Sequence, residues 1–73
     1  MEKYLNRNNN SGVSHFEIYS DKIEVKFTKT NKIYSYSYAY AGKSHVDKMK
    51  ILAERGHGLN TYIKTFVNNL YDK

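Results

Sequence analysis

Four tyrosines on alternate positions, Tyr34, Tyr36, Tyr38 and Tyr40, run into Gly42-Lys43-Ser44. A lysine ammonium, a serine hydroxyl and the free N–H groups of a helix start can together hold a phosphate, and His45 adds a further donor. Tyrosine rings can stack on nucleobases, each stacked base contributing roughly 1–3 kcal/mol. A second corner, Arg55-Gly56-His57-Gly58-Leu59-Asn60, sets a cation and an imidazole between glycines just ahead of another helix start. Glycine lets backbone approach a ligand closely, and an asparagine N-cap leaves anion-favouring N–H groups beside it. The candidate ligand-binding set is therefore Tyr36 and Tyr38 for stacking, Lys43 and Ser44 for phosphate, and Arg55, His57 and Asn60 to close the second corner. Each feature also has a plainer use: tyrosines as cover for a sheet core, Gly-Lys-Ser as an ordinary helix start, and the glycine pair as a compact turn between helices.

Hydrolytic chemistry does not fit. A nucleotide-hydrolysing phosphate loop ending at Gly42-Lys43-Ser44 needs glycine at position 37, where serine stands. Neither a His-Glu-x-x-His helix nor a Gly-x-Ser-x-Gly elbow is present, and His15, His45 and His57 are scattered. We expect no enzyme activity, no catalytic residues, no cofactor and no metal site. The absence of cysteine removes disulfides and thiolate ligands from consideration.

These residues must be positioned by a small chain. Seventy-three residues make one domain, and a domain of this size buries only roughly 60% of its unfolded surface. Small domains recover stability by other means, which here points to a homo-oligomer. The net charge of +5 attracts phosphates and acidic partners and also favours solubility. Eight tyrosines supply rings with polar tips, suited to interfaces and stacking. No apolar run reaches the ~18 residues a membrane helix needs, and Met1-Glu2-Lys3 opens no signal peptide. The expectation is a cytoplasmic protein without membrane partners.

The periodicity predicts an α+β fold, a three-stranded antiparallel β-meander followed by two α-helices packed on one sheet face. Residues 1–12 read as an N-terminal arm: Asn6–Gly12 is polar and turn-rich, Arg7 is a loose cation there, and Met1–Leu5 is compatible with a short edge strand or a helical turn. Residues 13–73 form the domain. Val13–Tyr19 alternates, with Phe16 and Ile18 on one face; Ser20-Asp21 turns the chain; Lys22–Thr28 alternates again; Thr28–Asn31 is the next turn; Lys32–Tyr40 is the third strand. Its face opposite the tyrosines, Ser35, Ser37 and Ala39 beyond Ile33, is smooth and a candidate contact surface. Ser44 then suits an N-cap with Asp47 three residues on, Val46, Met49, Leu52 and Ala53 make an apolar stripe, and Gly56 ends the helix. Asn60 opens the second helix, whose stripe runs through Leu59, Tyr62, Ile63, Phe66, Val67, Leu70 and Tyr71.

That order resembles the KTSC domain, a family of about sixty residues that also occurs at the C-terminus of some lysyl-tRNA synthetases and alone in small bacterial and viral proteins. The resemblance covers about Gly12 to Tyr71. It is carried by Ser14, Ile23-Glu24-Val25-Lys26-Phe27, Tyr34-Ser35-Tyr36, and Gly58-Leu59-Asn60 with Ile63 and Tyr71. Three overlapping Tyr-x-Tyr units and a longer first helix depart from the pattern. The resemblance implies no established enzyme, and RNA binding has been suspected for the family.

The expected function is non-enzymatic binding of a phosphate-bearing nucleotide. By analogy of size rather than fold, this suits a viral sponge that sequesters a cyclic-nucleotide or ADP-ribose-type signal in the host cytoplasm. The partner would be a nucleotide second messenger or a short nucleic acid. One rival is a single-stranded RNA or DNA binder, which predicts steep salt dependence. The other is a protein–protein inhibitor or assembly module using the smooth strand face or an exposed tyrosine patch.

Overall fold

The computed structural model describes residues 1–5 and 12–72. It shows an α+β fold in which a four-stranded antiparallel sheet carries two helices. The strands are β1 (Glu2–Lys3), β2 (Val13–Ile18), β3 (Lys22–Phe27) and β4 (Ile33–Ser37), side by side in that order. Helix α1 spans Lys43–Arg55, and α2 spans Leu59–Tyr62 and runs directly into a π-helical turn, Ile63–Val67. The sheet thus has one strand more than the three-stranded meander expected, because Met1–Leu5 takes the edge-strand option: Glu2 pairs with Phe16 and Lys3 with His15. The reading of Asn6–Gly12 as a loop and of Arg7 as a loose cation falls, but for Gly12, outside the described residues.

Alternation positions the core as the sequence suggests. Ile23 pairs with Tyr36 and Val25 with Phe16, and all four are buried. Val13 joins them although it lies three residues from Phe16, an odd spacing that plain alternation forbids. A register shift between Val13 and His15 resolves this. Ser14 is the extra residue, its hydroxyl donating to the Lys26 carbonyl at 3.1 Å, as a β-bulge allows. The helices contribute Val46, Met49, Leu52, Ala53, Leu59, Ile63 and Val67 to the same core.

The third strand of the meander is shorter than expected. It ends at Ser37 rather than Tyr40, because the Ser37 side chain competes with the ladder. Its Oγ accepts the Tyr40 N–H at 3.2 Å, and its carbonyl accepts the Ala41 N–H at 2.8 Å, folding residues 38–41 into a turn. Tyr40 consequently leaves the tyrosine face and stands exposed. Ala39 leaves the smooth face too. Of its serines, Ser35 donates to Glu24 at 3.2 Å and Ser37 donates to Asp72 at 2.8 Å.

Both expected N-caps move upstream. Gly42, not Ser44, caps α1, with the Val46 N–H donating to its carbonyl at 3.0 Å. Its φ of 100° is closed to most side chains, while a Cβ there would meet nothing; the backbone angle alone calls for glycine. Ser44 is already inside the helix. Gly58, not Asn60, caps α2, and the Leu59 N–H finds the Tyr4 hydroxyl at 3.3 Å instead. Gly56 ends α1 as expected, at φ 82°, its N–H donating to the Leu52 and Ala53 carbonyls at 3.0 and 3.2 Å.

The last stripe does not continue as one α-helix. Leu59, Ile63 and Val67 are buried at a constant spacing of four, whereas Phe66 is 56% exposed. The wider turn of the π segment carries each fourth residue back to the core and swings Phe66 out. Beyond it the Leu70 N–H bonds the Val67 carbonyl, and the chain folds back until the Asp72 N–H bonds Ser35 O at 2.7 Å. None of the helices among the described residues is long and apolar enough to cross a membrane.

Candidate functional site

The seven candidate residues fall into three places. Tyr38 and Lys43 do come together, at the start of α1. The Tyr38 hydroxyl donates to Asp47 and accepts from Lys50 Nζ at 3.0 Å, and Lys43 Nζ binds Asp47 at 2.8 Å. Lys43 and Lys50 also hover at 5.5 and 4.8 Å from the centre of the Tyr38 ring. The Lys43 hydrogen bond and charge hold the Asp47 carboxyl below its ordinary range, with the Tyr38 hydroxyl adding to this. The same pairing raises Lys43. Asp47 thus occupies the position a phosphate would take between these cations. Ser44 is exposed beside them and makes no N-cap bond. His45 turns away to a different neighbour, its Nδ1 lying 2.8 Å from the Tyr62 hydroxyl.

Arg55 and His57, both exposed, flank Gly56 at the second corner. The close approach that glycine permits is already taken by the chain itself: a Cβ on Gly56 would lie 2.6 Å from Leu5 Cβ. The corner is a packed turn in which N-terminal residues seat.

Tyr36 and Asn60 belong to the third place, and Tyr36 is corrected as a stacking residue. It is 2% exposed, and burial pushes its hydroxyl up to about 12, with Tyr34 and Tyr71 contributing. A ring so placed is core and offers no open face to a base. Its neighbour on the same strand face, Tyr34, is more accessible. Tyr34 is half-buried and meets Phe27 and Tyr71 in edge-to-face pairs, with ring centres 5.6 and 4.9 Å apart. These rings, with Tyr36 and Ile63 behind them, form the wall of a cavity of about 670 Å³ between the β3–β4 end of the sheet and the π-helical turn. That volume is within the usual range for small-molecule sites.

The cavity's rim is polar. Asn60 comes from α2, Lys64 from the π-helical turn, and Asn68 and Asn69 from the turn that follows. Thr28 and Lys29 come from the β3–β4 turn, and Gly12 completes the lining. Two lysines and three carboxamides face the cavity among the described residues, and no carboxylate does. The arrangement suits an anion attached to a flat aromatic group, with rings for the plane, amides for its polar edge and ammonium groups for the charge. Two tail residues are fixed in place: Tyr71, in the lining, packs against Tyr34 and Tyr36, and Asp72, outside the lining, is tied to Ser35 and Ser37.

Sequence reasoning places Tyr34 among the alternating tyrosines, Tyr71 in the last apolar stripe and Lys29 within the Thr28–Asn31 turn without assigning any of them to the site, and it gives no role to Lys64, Asn68 or Asn69. A usable signal was the asparagine pair itself, since adjacent asparagines are poor helix residues and favour turns. Set against family models, curated proteins and solved structures, the chain matches none of them.

Proposed function

We propose that this protein is a non-enzymatic binder of a phosphate-bearing nucleotide. The single observation that carries this is the cavity walled by Tyr34 and Tyr71, rimmed by Asn60, Asn68, Asn69, Lys29 and Lys64, and lacking any carboxylate among the described residues. The base stacks on the tyrosine wall, and the phosphate meets the two lysines. This places phosphate recognition away from Lys43, which Asp47 already neutralises. The KTSC resemblance is part of this reading: its carriers Ile23–Phe27 and Tyr34–Tyr36 lie on β3 and β4, two strands beside the cavity. Sequestration of a cyclic-nucleotide or ADP-ribose-type signal is supported by size and analogy, and it requires binding without turnover.

Thermal unfolding against nucleoside monophosphates, cyclic mono- and dinucleotides, ADP-ribose and a short single-stranded RNA tests the proposal. A ligand at a hundredfold excess over its Kd stabilises the folded state by about 2.7 kcal/mol. In a domain of this size that raises Tm by roughly 10–20 °C. Lys29→Ala combined with Lys64→Ala abolishes the rise, and the nucleotide is recovered intact by chromatography. No rise with any small nucleotide rejects the proposal. A rise with RNA alone that vanishes at high salt transfers the function to single-stranded nucleic acid.

A further inference from the structure

The rim of the cavity carries more information than its charge. Base edges differ in their pattern of donors and acceptors, and the protein groups that suit each differ accordingly. Cytosine's exocyclic amine is met by a carboxylate, guanine's O6 and N7 by arginine or lysine, and adenine's N6 and N7 by the paired donor and acceptor of an asparagine or glutamine amide. The side chains lining this cavity include no carboxylate and no arginine among the described residues. They include three primary amides, Asn60, Asn68 and Asn69, distributed over α2 and the turn that ends the helical segment. Such a rim offers donor and acceptor together on several sides, and nothing that prefers a donor-only edge.

The tyrosine wall adds a preference for the larger base. Tyr34 and Tyr71 meet edge to face at 4.9 Å, and Phe27 extends the wall beyond Tyr34 at 5.6 Å. A purine covers more of such a surface than a pyrimidine and loses more water from it. We infer that the cavity selects adenine: an adenine nucleotide stacks on Tyr34 and Tyr71 with its N6/N7 edge on one of the three asparagine amides. This rests on the nucleotide-binding reading above and narrows its ligand. In this assignment both lysines serve the phosphate, and the guanine arm of the test asks whether either reads a base instead.

The test is equilibrium binding of AMP, GMP, CMP and UMP to the whole protein, repeated with Asn60→Asp, Asn68→Asp and Asn69→Asp. Aspartate keeps the shape, removes the donor that N7 needs and supplies the acceptor that cytosine's amine prefers. Its negative charge repels the phosphate of every nucleotide alike, so the informative quantity is the ratio of AMP to CMP affinity. We expect AMP to bind at least about tenfold more tightly than the other three, the discrimination one bidentate pair gives. At least one of the three substitutions should collapse that ratio about tenfold. Binding of all four nucleotides within about threefold overturns the adenine assignment while leaving nucleotide binding in place. A preference for GMP overturns it in favour of lysine readout, and an AMP preference that survives all three substitutions overturns the role of the amides. If none of the four binds, the adenine assignment falls, while the nucleotide reading is decided separately by the cyclic nucleotides and ADP-ribose of the thermal test.

Discussion

Tyr4 and Tyr36 show what single hydroxyls do in this fold. Tyr4 is 2% exposed and its oxygen accepts the Leu59 N–H, a donor that the start of α2 leaves otherwise unmatched. Tyr4→Phe keeps the ring and strands that donor, so urea unfolding should show a loss of about 1–2 kcal/mol. Tyr36 tests pH dependence. Its folded-state pKa, about 12, lies above the unfolded value of 10.0. Between these values the unfolded chain has released the proton and the folded chain still holds it, so stability is full below pH 10 and falls as pH rises toward 12. Thermal midpoints taken across that window should decline less steeply in Tyr36→Phe than in the native chain. Asp47 works at the other end of the scale. Its pKa is lowered from 3.8, first by Lys43, so its contribution holds above that value and disappears as pH drops below it. Asp47→Asn should remove that part of the acid transition.

At the scale of elements, strand faces and the Gly56 end of α1 were legible in the sequence, and the end of β4 and the start of α1 were not. The alternation of Lys22–Phe27 fixes which side of β3 is wet, because a strand admits only that choice once one face is buried. The end of β4 depended on Ser37 turning its hydroxyl on Tyr40, and the start of α1 on the backbone angle of Gly42; both are local contests that periodicity does not record. The cavity was less legible still. Its wall draws on Phe27, Tyr34 and Tyr71, its rim on Lys29, Lys64 and the three asparagines, and only the return of the chain to β4 after the π-helical turn brings these separate segments together. That turn makes a sharp prediction about neighbours. Val67→Ala should cost about 1.5–3 kcal/mol, whereas Phe66→Ser should stay within about 0.5 kcal/mol, as read by chemical denaturation. A straight α-helix along the sequence stripe would make both substitutions costly.

The molecule as a whole is held by its extremities as much as by its middle. Tyr4, near one end, sits in the core with Leu59, and Tyr71, near the other, packs on Tyr34 and Tyr36. A 73-residue domain has roughly 4–11 kcal/mol of total stability to lose. Removing residues 1–5 takes away a buried aromatic side chain worth about 3–5 kcal/mol and a sheet strand. The shortened chain should therefore show little cooperative melting by circular dichroism at 37 °C.

The hydrogen bond between Tyr4 and Leu59 spans 55 residues. On a ribosome, which adds roughly 5–20 residues per second, the tyrosine is made several seconds before the backbone amide it will serve. Over the later part of that interval β1 has its strand partner synthesised but not its anchor. Final closure of the domain must then await release of the helical segment from the exit tunnel.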